Sequence, residues 1–195
     1  MDKTLSTPNR MVRQYFEAVC RLCHRIVLNK NKTEIPQDTA LCIISAVTGV
    51  EIFLNSYFLI MINEESYKHA KKHILNDLAK HVSLDKKIKE WPGKVLGKKI
   101  NLDTGIGFEF VNLKNLRNKL VHFSSSYETF KFSGATIIGL ADTTVYDSLD
   151  ANSALKALET AEQFICEIFR LRGIEERDIF HALHSWTGKV PHYSK

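Results

Sequence analysis

An arginine, an asparagine and a histidine stand together in the run Leu116-Arg117-Asn118-Lys119-Leu120-Val121-His122-Phe123, whose other positions read as the apolar face of a helix. Charge and imidazole do little for helix packing, so the cluster asks for a chemical role. An arginine stays protonated and its planar fork matches a phosphate, while a histidine takes or gives a proton near neutrality. The pair suits phosphoryl chemistry without a metal. Its other use is structural, since Arg and His near a helix C-terminus also complement the helix dipole. On an ideal helix, residues five apart point about 140° away from one another. Arg117 and His122 therefore converge only on a cleft at the helix edge or end, whereas Asn118 and His122, four apart, share a face.

Other groupings match known chemistries less well. Cys20-Arg21-Leu22-Cys23-His24 spells the C-x-x-C-H string of a haem attachment site. No early apolar segment of export type precedes it, and Cys23 falls on an apolar stripe, so core packing is the expected role. A zinc site would need a second ligand pair, and none has suitable spacing. His69 and His73 are four apart, yet no carboxylate or third histidine is evidently placed with them, and no metal is expected. The run from Gly93 to Lys99 has the flavour of a phosphate loop, but it is one residue short and no Ser or Thr follows its lysine. Its lysines would help gather an anionic substrate. His181 and His184 read as surface or interface residues.

The elements that must position these residues follow from apolar spacing. A hydroxyl cap and Pro8 open a first helix over residues 8–29, with Val12, Tyr15, Phe16, Val19, Leu22, Cys23, Ile26 and Val27 as its stripe. Pro36 opens a second helix over residues 36–62, apolar all round and so expected to be the most buried element. Ser45, Thr48, Glu51 and Asn55 draw a narrow polar line along it, either satisfied locally or bordering a polar cleft, and Glu51 is the member most worth following. The same run is long enough to span a bilayer, but the mid-run Glu51 is costly in lipid, and a core or interface helix is expected instead.

A third helix is expected over residues 64–82, with Tyr67, Ala70, Ile74, Leu75, Leu78 and Val82 inward, and a short one from Ser83 to Trp91, stopped by Pro92. The motif helix begins near Phe108 with Phe110, Leu113, Leu116 and Leu120 as core. Residues 124–148 are the least helical, with strands over 127–131 and 135–140 forming a small β-hairpin. A long helix over residues 152–173, with Leu155, Leu158, Ala161, Ile165, Ile168 and Phe169 on one side, ends at Gly173, and a short one covers residues 175–186.

A chain of 195 residues, 44% hydrophobic, supports one sizeable core. The formal charge of +5 permits an anionic partner without demanding one. The four cysteines sit inside helical patterns, which fits a reducing cytoplasm.

With an Arg-Asn-x-x-x-His segment ending an internal helix of an all-α bundle, the chain resembles the HEPN domain family. Arg117-Asn118-Lys119-Leu120-Val121-His122 is similar to that family's R-x4-6-H signature, including the Asn that often follows the Arg. The upstream apolar helix carrying Glu51, the Lys-rich helical insertion and the final amphipathic helix extend the resemblance over about residues 40–173. It implies a single domain, an HEPN-like bundle of four main helices plus short ones around a core of about residues 36–173, with the hairpin as an insertion. It also implies a homodimer in which two motifs share a cleft. The implied activity is metal-independent cleavage of RNA, with no cofactor, in a toxin-antitoxin or defence system. His122 would move protons during attack of the 2′-hydroxyl, Arg117 would hold the phosphate, Asn118 would orient the histidine or touch the backbone, and Glu51 would stand across the cleft. The products would be a 2′,3′-cyclic phosphate and a 5′-hydroxyl. The implied partners are RNA and an antitoxin or nucleotidyltransferase, with no membrane. The alternative is a noncatalytic helical module binding a protein or nucleotide partner.

Overall fold

The structure is a computed structural model that describes residues 6–28, 31, 33–121, 128–133, 135–140 and 143–188. It is an all-α bundle organised around one helix. That helix, α2 (Ile35–Met61), follows α1 (Arg10–Leu28), carries Pro36 in its first turn and buries residues on every side. It is the one described helix long and apolar enough to cross a membrane, with a mean hydropathy of 1.7 over 18 residues, and half of that window is buried inside the bundle.

The helices around α2 each offer it an apolar face. From α1 come Val12, Phe16, Val19, Cys23 and Ile26, while Val27, expected on the stripe, is exposed because it falls one step past the contact line. At the closest approach α2 carries Gly49: a Cβ there would stand 3.0 Å from the Phe16 ring. The Cys23 and Cys42 sulfurs meet 3.5 Å apart across the same seam while His24 is exposed, so the C-x-x-C-H string is divided between core and solvent. The sulfur hydrogen bond with Cys23 and burial push the Cys42 thiol far up, and burial raises Cys166 to about 11, so both stay protonated at neutral pH. On the far side α7 (Ala151–Arg172) and α8 (Glu176–Thr187) bring Phe169 and Trp186 edge-on to Phe53, at 5.5 and 5.1 Å between ring centres. Asp150 caps α7 by accepting from the Ser153 amide, and Gly173, at a φ of 90°, ends it. Leu155 of α7, expected inward, is 45% exposed.

The expected third helix divides in two. Residues Glu65–Ala70 form a 3-10 turn, and α3 (Lys71–Ala79) continues from it. Tyr67 and Ala70 are three apart and Ala70 and Ile74 four apart, so the inward row is kept by changing from three to about 3.6 residues per turn at Ala70. Leu75, off that row, is exposed. Helix α3 closes on His81 in the left-handed region, with the Val82 amide reaching back to the Asp77 carbonyl.

Helix α4 (Leu84–Leu96), capped by Ser83, does not stop at Trp91 as expected but runs through Pro92 to Gly97. A helix-interior proline costs about 3 kcal/mol. Here Trp91, Pro92 and Val95 are all buried, Trp91 against Phe58 of α2, and the area they remove from water offsets that cost. Buried Asp77 ties α3 to α4, accepting from Lys86 Nζ at 2.8 Å and Trp91 Nε1 at 3.1 Å. Burial alone would raise this carboxyl, but those two hydrogen bonds and the field of His73 bring it below its ordinary value.

The motif helix α5 (Gly105–Val121) starts three residues before the expected Phe108, since Phe108 is exposed and Gly107 is the first buried position. The carbonyl oxygen of Asn101 lies where a Gly107 side chain would be, 2.1 Å from an added Cβ, so the strap between α4 and α5 lies directly on the helix backbone. Beyond α5, strands Glu128–Phe132 and Ala135–Leu140 pair antiparallel as the expected hairpin, with Phe132 inside the first strand; Tyr127 and Gly134 lie outside the described residues. A single turn, α6 (Thr144–Asp147), stands in the stretch expected to be the least helical.

Gly107→Ala is expected to destabilise the protein by at least about 2 kcal/mol, against the roughly 1 kcal/mol that helix propensity alone would add; urea unfolding measures which sign prevails. The Asp77 contribution is present above the ordinary carboxyl range and is lost as pH falls through the lowered folded value. Asp77→Asn should therefore cost about 3 kcal/mol at pH 7 and progressively less below about pH 4, read by denaturant melts across pH.

Candidate functional site

Gly107, Phe110, Lys114 and Arg117 follow the three-and-four spacing that keeps one row along α5. The first three are buried, Phe110 stacked on Phe164 of α7 with ring centres 4.0 Å apart. The inward row of the motif helix thus turns cationic toward its C-terminal end. Leu116 and Leu120, expected as core together with Phe110 and Leu113, are only half-buried, and Val121 is 47% exposed.

The two cations of this row differ in one respect. Lys114 Nζ pairs with Asp85, in the first turn of α4. Arg117 has no carboxylate and no side-chain hydrogen bond among the described residues, and its Nε is buried without a partner. An unmet buried donor costs about 1–3 kcal/mol, more when charged. Asn118 beside it is half-buried and its side chain makes no hydrogen bond among the described residues. His122 lies outside the described residues, which end this helix at Val121.

Glu51 sits on α2, a helix that packs against α5. Its carboxylate accepts from Lys87 Nζ of α4 at 2.6 Å; the Lys87 side chain is only 6% exposed, and its Nζ lies 5.8 Å from the centre of the Trp91 ring. Along the rest of the polar line, Thr48 bonds back to the Ile44 carbonyl at 2.7 Å, while Asn55, one turn beyond Glu51, holds a buried Oδ1 with no partner among the described residues. Two helices that touch therefore carry unmet groups of opposite kind, an acceptor at Asn55 and a donor at Arg117.

Lys87, Lys114 and Asp85 were not singled out by residue type, yet their positions were readable. Lys87 falls on the row of Leu84, Ile88, Trp91 and Val95, and Lys114 on that of Phe110. A lysine on an apolar row signals a buried ion pair.

His73 stands with Asp77 and Glu90, contrary to the expectation of no neighbouring carboxylate, and the three offer ligand atoms within 4.8 Å of one another. All three already take part in hydrogen bonds with protein cations or donors: Asp77 accepts from Lys86 and Trp91, and Lys94 Nζ lies 2.8 Å from both His73 Nε2 and Glu90. His69 reaches the Lys94 carbonyl instead. Elsewhere, a groove between α5 and α7 holds adjoining pockets of about 250 and 310 Å3, floored by Leu113 and Leu116 and flanked by Glu109 and Lys156. Glu51, Arg117 and Asn118 do not line it.

Removing one member of the Glu51–Lys87 pair leaves a buried charge unmet. Glu51→Gln is expected to cost about 2–3 kcal/mol, and Glu51→Leu combined with Lys87→Met to return within about 1 kcal/mol of wild type, as measured by a double-mutant cycle in urea.

Comparison of the chain with protein-family models, with curated proteins and with solved structures finds no match.

Proposed function

We propose that the protein is a metal-independent endoribonuclease of the HEPN type. The observation that carries this reading is Arg117, a cation brought inward on the motif helix with its Nε buried and no carboxylate partner among the described residues. The neighbouring inward cations, Lys87 and Lys114, each have one. An unmatched guanidinium held by a packed helix is pre-organised for an anion, and its fork fits two oxygens of a phosphodiester.

In the proposed reaction His122 accepts the proton of a ribose 2′-hydroxyl as that oxygen bonds to phosphorus. Arg117 offsets the charge that gathers on the non-bridging oxygens. The bond from phosphorus to the 5′-oxygen breaks, a proton is returned to that oxygen, and the products are a 2′,3′-cyclic phosphate and a 5′-hydroxyl. Asn118 orients the imidazole or the substrate backbone, and Glu51, fixed by Lys87, borders the cleft. Two copies of the chain pair so that their motifs face each other, which relieves the angular separation of Arg117 and His122 by letting each copy supply part of the site. The biological setting consistent with this activity is a cytoplasmic toxin or defence effector restrained by an antitoxin or nucleotidyltransferase partner.

The test is cleavage of end-labelled RNA in EDTA. Wild type is expected to cut and leave cyclic phosphate ends, and His122→Ala and Arg117→Ala to lose at least about 100-fold in rate while folding and associating normally. Equal cutting by the variants, or no cutting by any of the three folded proteins, overturns the proposal in favour of a noncatalytic helical module.

A further inference from the structure

The charge of this chain is not spread over it. Residues 64–99, which comprise the 3-10 turn, α3, α4 and the start of the following strap, hold ten lysines against five carboxylates, Glu64, Glu65, Asp77, Asp85 and Glu90. That surplus equals the formal net charge of the whole protein, +5, so the basic and acidic side chains of the rest of the chain cancel.

The ion pairs do not absorb this surplus. Lys68, Lys86, Lys87 and Lys94 have carboxylate partners. Lys71, Lys72, Lys80, Lys89, Lys98 and Lys99 are exposed and have none among the described residues. Lys71 and Lys72 stand on α3, Lys80 in the four-residue turn that follows it, Lys89 on α4, and Lys98 and Lys99 in the strap after α4; the two helices are held together at Asp77 in a block about 20 Å long, the span of the 13-residue α4. The stem of Lys99 crosses Gly93, where an added Cβ would meet its Cγ at 3.2 Å, which brings the strap lysines onto α4 one turn from Lys89. The block is fixed to both helices of the candidate site, by Lys87 to Glu51 of α2 and by Asp85 to Lys114 of α5.

We infer that this helical hairpin is the docking surface for the sugar-phosphate backbone of a single-stranded RNA. Lysines in number, exposed and without carboxylate partners among the described residues, gain affinity by releasing the counterions of a polyanion. A protein partner fits less well, because the centres of protein interfaces are depleted in lysine. A membrane surface also fits less well: interfacial helices add an apolar face to their basic one, and Leu75 is the one large apolar side chain exposed in this block. That the polyanion is RNA rests on the ribonuclease reading; the charge argument does not.

The experiment measures binding of a fluorescent single-stranded RNA across salt, in a His122→Ala background so that the probe survives. Two triple variants are compared, Lys71, Lys72 and Lys80 to Gln and Lys89, Lys98 and Lys99 to Gln. A control of equal charge changes Arg10, Arg21 and Lys156 to Gln. Each test triple is expected to weaken binding and to flatten the slope of log K against log salt by about 2, an affinity change about 20-fold smaller between about 50 and 200 mM salt, with the control near the parent. Slopes unchanged in the test triples, or reduced equally in the control, overturn the inference. So does binding through these lysines to vesicles of phosphatidylcholine with about one fifth phosphatidylserine, a standard anionic surface, when RNA is not bound. RNA bound through the lysines but never cut by the protein with His122 intact would leave this surface standing and remove the ribonuclease reading. RNA cut normally by both triples, with KM and slope unchanged, would do the reverse.

Discussion

A helix that is apolar around its whole circumference cannot lie on a surface, and the 27 residues of α2 impose that condition on everything else in the bundle. Each neighbour supplies a stripe and, at the closest contacts, either a ring or a missing side chain: Phe16 against Gly49, Trp91 against Phe58, and Phe169 and Trp186 against Phe53. Such packing leaves few places for a polar atom. Those on α2 are accordingly resolved in different ways: Thr48 by its own helix, Glu51 by a buried lysine, and Asn55 Oδ1 by nothing within the described protein.

The same economy of space explains why the inward cations matter. Carrying an ammonium into a bundle costs several kcal/mol unless a carboxylate meets it, and α4 serves as the meeting point, receiving Glu51 from α2 at Lys87 and giving Asp85 to Lys114 of α5. Arg117, one turn beyond Lys114, breaks this pattern. Among the described residues two buried lysines are matched by carboxylates and the half-buried Arg117 is not, and that contrast is the physical content of the functional reading.

Much of this was legible in the amino-acid order. Period-3.6 spacing placed α1, α2, α5, α7 and α8 within a few residues, and turn chemistry placed the hairpin. What failed had local causes. Pro92 reads as a stop, but a stop signal counts one lost hydrogen bond and cannot count the burial of Trp91 and Val95. The 3-10 turn was hidden because spacing by three also occurs within a regular helix. Apolar spacing puts Leu75, Leu116 and Leu155 on the inward stripes, whereas the buried rows are set by neighbours that no single element reveals. Residue type alone also hid the site's own supports: Lys87 and Lys114 look like solvated lysines until their row is read with their helix. Arg117 and Asn118 stand on the helix that the motif indicated, while His122 falls outside the described residues.

The concentration of the whole net charge in residues 64–99 makes the protein's charge lopsided rather than that of a uniformly basic sphere. In the field of a polyanion such a body feels a torque as well as a pull, and it turns its charged end forward before any atom touches. Because Lys87 and Asp85 lock that end rigidly to α2 and α5, the turning carries Glu51 and Arg117 with it. Orientation in solution and alignment at the site become a single event, governed by ionic strength.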